Sequence, residues 1–161
     1  AGMFELKRIN VDRLLTDIKD QFSSVPGKDI TIEYASGCNC IVDANELLRD
    51  VFVNLVGNAI KHSGDTEKLV VGIRVEKVPE NGTVYCKVSV EDNGPGIPDE
   101  MKQRLFDRLS LDSTRARGKG FGLCLIKMLV DDYHGKFTVE DRVAGNYKEG
   151  ARFVVMLPVV V

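Results

Sequence analysis

The chain has 161 residues, of which 43% are hydrophobic and 29% are charged, and this composition is typical of a globular protein rather than a disordered one. Its formal net charge of −2 argues against a nucleic-acid-binding or membrane-surface protein, which would carry a basic excess. No apolar run approaches the roughly 20 residues of a membrane span, so we expect a cytoplasmic location without direct membrane contact.

The chain begins with Ala1-Gly2 before Met3, which indicates a cloning remnant and a piece of a longer protein. We expect a single domain over residues 1–161, because a chain of this length can bury about two-thirds of its unfolded surface. The 4 cysteines include a Cys38-x-Cys40 pair, but this spacing is unusual for zinc. We therefore expect reduced, mostly buried thiols.

The first predicted elements are short. Residues 4–11 alternate like an edge strand, and Asp12 is predicted to cap a helix whose apolar residues recur at helical spacing. Pro26-Gly27 ends this helix. Residues 30–35 and 38–42 then have the pattern of two short strands, which we expect to pair as a hairpin or as near neighbours.

The longest helical pattern covers residues 43–63, and it has two different faces. One is an apolar core stripe of Leu48, Val51, Phe52, Leu55 and Ala59. The other is a polar stripe of Asp50, Asn54, Asn58 and Lys61. Asparagine is a mediocre helix former, so two of them one turn apart suggest oxygen ligands for a hydrated Mg²⁺, with the lysine near the phosphates that the ion carries. An ordinary solvated face is the alternative.

Two alternating strands, over residues 68–78 and 83–91, are joined by the hairpin signal Asn81-Gly82. The second strand runs directly into a glycine turn, residues 92–98, which begins with Asp92. A carboxylate at that point accepts hydrogen bonds and suits a ligand with an exocyclic amine, such as adenine. The alternative is a common strand-to-helix turn, in which these residue types are frequent.

The remaining third of the chain is predicted to form a short helix over residues 99–106, an arginine-bearing loop over 107–117 and a helix led by the glycines of 118–122. Glycine-rich backbone at a helix N-terminus can bind an anion. The glycine spacing is neither that of the dinucleotide fingerprint nor that of the P-loop. Two closing strands, residues 136–141 and 151–157, are expected around a loop.

These elements predict an α/β two-layer sandwich, in which a mixed sheet of about five main strands packs against three helices. Four ordered segments also resemble a known family, the catalytic and ATP-binding domain of sensor histidine kinases. Residues 54–62 are similar to its N box, 92–98 to its first glycine box, 105–108 to its F box and 118–123 to its second glycine box. This resemblance implies a Bergerat-type ATP-binding fold with a mostly antiparallel sheet, shared with gyrase, a heat-shock chaperone and MutL.

The resemblance implies roles for single residues. Asp92 would bind the adenine amino group, Asn58 would hold Mg²⁺, and Asn54 would assist at the ion and the phosphates. Lys61 would meet the phosphates, and His62 would stand beside the nucleotide. Arg108 of the F box could reach the terminal phosphate, which makes Asn54, Lys61 and Arg108 the catalytic candidates. The further nucleotide contacts implied are Gly94, Gly96, Ile97, Phe106, Gly118, Lys119, Gly120, Phe121, Gly122 and Leu123.

The implied activity is transfer of the γ-phosphate of Mg-ATP to a histidine on a separate helical hairpin domain of the parent protein, followed by signalling to a response regulator. Neither His62 nor His134 has the sequence context of that acceptor, so this chain alone is not expected to autophosphorylate. The domain would be cytoplasmic whether or not the parent protein crosses a membrane.

Two features keep alternatives open. Ala151-Arg152 replaces the small hydroxyl residue common after the last glycine, and residues 109–111 continue the F box unusually, which allows a binding-only module that scaffolds a response regulator. A self-sufficient ATPase is the other alternative. It is disfavoured because Asn54 stands where gyrase-type relatives have a glutamate base, and without a base water is poorly activated.

Overall fold

The computed structural model describes residues 5–23, 27, 29–102, 105 and 123–160. The elements with defined bounds are β1 Lys7–Asn10, α1 Val11–Phe22, β2 Asp29–Ser36, β3 Ile41–Ala44, α2 Leu48–Lys61, β4 Lys68–Glu80, β5 Thr83–Asp92, α3 Leu123–Asp132, β6 Lys136–Val143 and β7 Asn146–Pro158. Residues 99–102 are also helical. Among the described residues, no helix has both the length and the apolar character needed to cross a bilayer.

The main sheet has five strands in the order β2-β4-β5-β7-β6. β2 runs parallel to β4, while the β4–β5, β5–β7 and β6–β7 pairs are antiparallel. The predicted architecture, a mixed and mostly antiparallel sheet of five strands packed with helices, is therefore confirmed. The Asn81-Gly82 hairpin is also present, with φ values of 51° and 81° that suit a tight turn between twisted strands.

The sheet has one apolar face, and the helices pack on it. Alternate residues Leu69, Val71, Ile73 and Val75 of β4 are at most 3% exposed. The register places Val71 opposite Asp92 and Val88 opposite both Val75 and Val155, so the same face continues across the central strands. On the opposite face Arg152 bridges Glu91 and Glu140. An antiparallel sheet can leave one face to water in this way, which explains the alternating sequence of its strands.

The expected pairing of the second and third strands is wrong. β2 joins the main sheet through β4, whereas β3 pairs with β1 in a separate two-stranded sheet. The residues between β2 and β3 do not form a hairpin turn, because the carbonyl of Cys40 accepts a hydrogen bond of 2.9 Å from the amide of Val11. This connection is therefore bonded to the start of α1.

Three boundaries also differ from prediction. Asn10, not Asp12, caps α1, since its side chain accepts a 3.1 Å hydrogen bond from the Arg13 amide. The predicted helix over residues 43–63 begins only at Leu48, because the preceding residues through Ala44 pair with β1 as β3. The expected loop over residues 143–150 is largely strand, since β6 and β7 meet at a tight turn in which Gly145 has a φ of 79°.

Candidate functional site

Asp92 is the last residue of β5, and its side chain is almost fully enclosed, with 7% of the residue exposed. One carboxylate oxygen accepts a 2.9 Å hydrogen bond from the amide of Gly94, and the backbone of Ala151 on β7 supplies a second donor. Burial raises the pKa of Asp92, and the two backbone bonds and the nearby Arg142 charge offset this only in part. The acid is thus held rigidly in a desolvated place.

The Asp92 carboxylate opens onto a pocket built from three other parts of the fold. α2 and its C-cap form one wall, the glycine turn after β5 forms another, and β7 forms the floor beside Asp92. The lining residues are Asn58, Ala59, His62, Asp92, Gly96, Ile97, Ala151 and Phe153. Ile97 and Phe153 are 4% and 3% exposed, so an apolar surface lies beside one buried carboxylate. Such a surface suits a flat, mostly apolar ring that presents a hydrogen-bond donor.

The position of α2 follows from its buried stripe. Val51, Phe52 and Leu55 are fully buried, and this fixes the rotation of the helix. Asn58 consequently lines the pocket, and Asn54 lies one turn before it on the same side, with both side chains half-buried. Of the predicted polar stripe, Asn58 is therefore the residue that lines the pocket.

The C-terminal end of α2 adds two basic groups. Lys61 is the last helical residue and is exposed, while His62 is the C-cap and lines the pocket. Burial, followed by the adjacent Lys61 charge, lowers the pKa of His62 below its usual value of 6.5. The imidazole is therefore predominantly neutral at pH 7, whereas Lys61 supplies a positive charge at the pocket edge.

The glycine turn is in direct contact with the β6–β7 hairpin. Gly96 has a φ of 75°, and a Cβ built there would lie 1.7 Å from the carbonyl oxygen of Tyr147. Gly150 on β7 has a φ of 113°, and its Cβ would lie 1.8 Å from the carbonyl oxygen of Asp92. Only glycine permits both the backbone angles and this approach. The two glycines let β7 close on the turn, which brings Ala151 to Asp92.

The residues on either side of the turn are anchored as well. The Asn93 side chain accepts a 2.8 Å hydrogen bond from the Val70 amide and donates one of 3.0 Å to the Lys68 carbonyl, which holds it against β4. Lys102 forms ion pairs with Asp99 and with Asp141 on β6, and the Lys102 and Asp141 side chains are only 15% and 14% exposed. The backbone of the pocket wall is thus fixed at both ends.

Five of the residues singled out in the sequence meet in the pocket: Asn58, His62, Asp92, Gly96 and Ile97. Gly94 lies behind them as the donor to Asp92, and Asn54 and Lys61 lie along α2 beside them. Leu123 is 4% exposed at the start of α3 and belongs to the hydrophobic core. The predictions for Phe106, Arg108, Gly118, Lys119, Gly120, Phe121 and Gly122 lie outside the described residues.

Three lining residues were not predicted from the sequence. Ala59 was assigned only to the core stripe, although it follows Asn58 directly. Phe153 pairs with Val90 across β5 and β7, and that register has no local sequence signal. Ala151 was noted as a departure from the family, whereas its backbone bonds Asp92. A main-chain donor has no side-chain signature, so sequence reasoning could not find it.

Comparison with known proteins identifies the family. Residues 43–161 match the family of histidine kinase-, DNA gyrase B- and HSP90-like ATPases. The matched part contains α2, the glycine turn and the pocket floor on β7. The chain belongs to this ATPase family. Its fold is accordingly the Bergerat fold, as the resemblance implied.

The similar proteins are sensor histidine kinases. The chain is 40% identical over 105 residues to the sensor histidine kinase AruS of Pseudomonas aeruginosa, which covers 62% of this chain and 10% of AruS. It is 39% identical over 119 residues to the histidine-protein kinase/phosphatase MprB of Mycobacterium sp. strain KMS, which covers 72% of this chain and 22% of MprB. The matched part thus spans about a tenth of AruS and about a fifth of MprB.

Solved structures agree with this assignment. The catalytic domain of histidine kinase ThkA matches with a TM-score of 0.78 and 26% identity, over 96% of each chain. The structure of ThkA in complex with the response regulator TrrA matches with a TM-score of 0.72 and 26% identity, over 98% of this chain and 42% of that one. The ATPase domain of this chain is therefore a homologue of the catalytic domains of sensor histidine kinases.

Proposed function

We propose that this chain binds Mg-ATP in the pocket beside Asp92 and presents the γ-phosphate to a histidine on a separate helical hairpin domain of its parent protein. The observation that carries the proposal is that a buried carboxylate and an amide-bearing helix line the same pocket. The carboxylate would recognise the base, and α2 would lead away from it toward the phosphates.

Recognition of the base rests on Asp92. An ionised carboxylate only accepts hydrogen bonds, so it selects a base that presents an amino group. Gly94 and Ala151 donate to the carboxylate and fix its orientation before a ligand arrives. The apolar surfaces of Ile97 and Phe153 would cover the faces and edges of the purine ring. Adenine has the amino group and the flat ring that these contacts would require.

The other end of the nucleotide would lie along α2. Mg²⁺ accepts oxygen ligands, keeps several waters and commonly takes only one or two protein groups beside the phosphates. The half-buried amide of Asn58, with that of Asn54 one turn away, is a donor set that fits this ion. When bound, the ion would neutralise charge that develops on the transferred phosphoryl group. Lys61 would add a cation there, and Arg108 is proposed from the sequence for the same task.

Transfer to a histidine is favoured over hydrolysis of ATP by water. A hydrolase needs a group that activates water, and Asn54 cannot act as a general base. The histidines of this chain do not serve as the acceptor, since His62 lines the pocket itself and His134 follows α3 at a turn. The acceptor domain and a response regulator are therefore the proposed partners, and a ThkA–TrrA complex exists among the structural relatives.

The binding half of the proposal is tested by calorimetric titration with a non-hydrolysable ATP analogue. Asn58→Ala should remove most of the gain in affinity that Mg²⁺ gives and should leave the metal-free affinity almost unchanged. Asn146→Ala, at an exposed asparagine that begins β7, is the matched control and should behave as wild type. An unchanged Mg²⁺ dependence in Asn58→Ala would remove this residue from the metal site.

The transfer half is tested by adding the separately purified acceptor domain of the parent protein together with Mg-ATP. Acid-labile phosphohistidine should appear on the acceptor, and ADP should form in equal amount. ADP without phosphohistidine would indicate the self-sufficient ATPase. Tight nucleotide binding with neither product would indicate the binding-only module. That alternative is suggested by Ala151-Arg152 and by the unusual residues 109–111.

A further inference from the structure

Three cysteines meet at the other end of the sheet from the pocket. The sulfur atoms of Cys38 and Cys40 are 3.1 Å apart, and Cys40 also shares a side-chain hydrogen bond with Cys86 on β5. Cys40 and Cys86 are fully buried, whereas Cys38 is partly buried. We call these three residues the thiol cluster. Cys38 is the one residue of the three that keeps some exposure to solvent.

The thiol cluster is separate from the nucleotide pocket. Cys86 and Asp92 are both on β5, six residues apart, which is roughly 20 Å along a strand. None of the three cysteines lines the pocket. The proposed phosphotransfer chemistry therefore gives these thiols no task.

The spacing of the sulfurs distinguishes two kinds of chemistry. Two thiolates on a tetrahedral zinc ion, each about 2.3 Å from the metal, would lie about 3.8 Å apart. A disulfide needs about 2.05 Å. The observed distance of 3.1 Å between the Cys38 and Cys40 sulfurs is shorter than the spacing on zinc and closer to the length of a disulfide bond. Within the described residues, moreover, no group of three or more His, Cys, Asp or Glu is arranged to hold a metal ion.

The local backbone also favours a link between Cys38 and Cys40. Both lie in the irregular connection between β2 and β3, where no sheet hydrogen bonds fix the residues between Gly37 and Cys40. Cys86, by contrast, sits in the middle of β5 and pairs with Lys77 and Leu157 on both sides. Bringing the two sulfurs about 1 Å closer therefore changes dihedral angles and the local contacts with α1, but it breaks no sheet hydrogen bond. A shift of Cys86 would disturb the strand pairs on both sides of β5.

From this geometry we propose that Cys38 and Cys40 form a reversible dithiol site that reacts with a peroxide and closes to an intrachain disulfide. The Cys38 thiol releases its proton, the resulting thiolate attacks one peroxide oxygen and the O–O bond breaks. Cys38 becomes a sulfenic acid, and the departing hydroxide takes up the released proton and leaves as one water. The Cys40 sulfur then attacks the Cys38 sulfur, the S–O bond breaks, and the departing hydroxide takes the Cys40 proton as a second water. Two thiols are oxidised and one hydrogen peroxide is reduced to two waters.

The order of the two steps follows from exposure and acidity. Burial raises the pKa of Cys40 to about 11 and raises that of Cys86 as well, so both remain thiols at pH 7. Cys38 is the member of the cluster that solvent reaches. It is therefore the entry point for the oxidant, and Cys40 resolves the sulfenic acid.

Closure would act on the bonds that hold α1 in place. The Cys40 amide donates a 3.1 Å hydrogen bond to Asp12, and its carbonyl accepts one of 2.9 Å from Val11. The Ser36 hydroxyl lies 2.9 Å from the carbonyl oxygen of Cys38 and shares its one proton between this oxygen and Asp12. A change of the backbone between the two cysteines alters these contacts, so oxidation should change the stability of the region around α1 and the β1–β3 sheet.

The test uses the whole chain, reduced, freed of reductant and exposed to hydrogen peroxide. Remaining thiols are alkylated and the protein is cleaved after lysine and arginine, which leaves Cys38 and Cys40 together in the peptide of residues 29–49 and Cys86 in that of residues 78–87. The expected result is a peptide of residues 29–49 that lacks both alkyl groups and two hydrogens, with two thiols lost per peroxide, and its reversal by dithiothreitol.

Variants locate the bond. Cys38→Ser should abolish disulfide formation, and because this position is only partly buried and the exchange is nearly isosteric the variant should fold. Cys124→Ser, which removes the cysteine on α3, is the matched control and should oxidise at the wild-type rate. A cross-link between the two peptides, accumulation of a sulfinic acid on Cys38 alone, or thiols that stay reduced while those of the urea-unfolded chain react would each overturn the proposal.

Discussion

Two aspartates at opposite ends of the fold show how the same side chain can serve structure or ligand binding. Asp12 on α1 accepts a 2.5 Å hydrogen bond from the Tyr34 hydroxyl, another from the Ser36 hydroxyl and one of 3.1 Å from the Cys40 amide. Both of its oxygens are thus used by the protein itself. Asp92 accepts from two backbone amides but faces a pocket.

The difference lies in what surrounds each carboxylate, because both residues are simple turn or cap candidates in the sequence. Asp12 joins α1 to β2 and to the connection before β3, so its hydrogen bonds hold elements together. Asp92 is oriented by Gly94 and Ala151 and keeps acceptor capacity toward the pocket. An acid whose partners all come from the protein stabilises the fold, whereas one that faces a pocket is available to a ligand.

The largest expected effect is a loss of stability at Gly96, in the glycine turn beside the pocket. Gly96→Ala places a Cβ within 1.7 Å of the Tyr147 carbonyl oxygen, so the hairpin must move and unfolding should become easier by more than about 4 kcal/mol. Gly145→Ala is the matched control: its φ of 79° is similar, but nothing lies within 4 Å. It should cost only the backbone strain of about 1–2 kcal/mol. Equal losses in urea unfolding would show that the close approach is unimportant.

The second prediction separates binding from stability at Asp92. Asp92→Asn replaces a charged acceptor by a neutral group, and a hydrogen bond to a charged group contributes about 1.5–3 kcal/mol. Affinity for an ATP analogue should fall about 10- to 100-fold, while the melting temperature stays level or rises because a desolvated charge is removed. Asp29→Asn, at the exposed start of β2, should change neither quantity. Lost stability with retained affinity would contradict the assignment.

The third prediction is the opposite result at Asp12: a loss of stability with nucleotide affinity retained. Asp12→Asn leaves one of three donors without an acceptor, so the free energy of unfolding should fall by about 2 kcal/mol, while nucleotide affinity stays within about twofold. The control on the same helix is Asp17→Asn, which removes an exposed ion pair with Arg49 and should cost at most about 1 kcal/mol. If Asp12→Asn weakened nucleotide binding more than Asp92→Asn, the contrast between the two acids would be lost.

The smallest effect concerns pH. Burial lowers the pKa of His62 in the folded state, so the unfolded chain takes up the proton first as pH falls. The stability that comes from a neutral His62 is complete above about pH 6.5 and is lost as pH falls through the lowered folded value. As this stability is lost at lower pH, the difference in unfolding free energy between wild type and His62→Gln should shrink. His134→Asn, at an exposed turn residue with a φ of 64°, should leave this slope unchanged.

Much of the fold could be predicted because its signals are local. The alternation of β4 and β5, the Asn81-Gly82 turn and the apolar stripe of α2 each follow from residues close together in the chain. The pairing of β2 with β4, and of β3 with β1, could not be predicted in this way. Strand partners are chosen by competition among distant segments, and two short neighbouring strands carry no mark that forbids a hairpin.

The sequence by itself determined which groups are available to the site: an acid at the end of a strand, glycines after it and two amides one turn apart on a helix. Tertiary structure decided which of these meet, and it added Ala151, Phe153 and the thiol cluster. The physical reason is that main-chain donors, close backbone approaches and contacts across a sheet depend on where distant strands lie. Those positions arise only when the whole core packs.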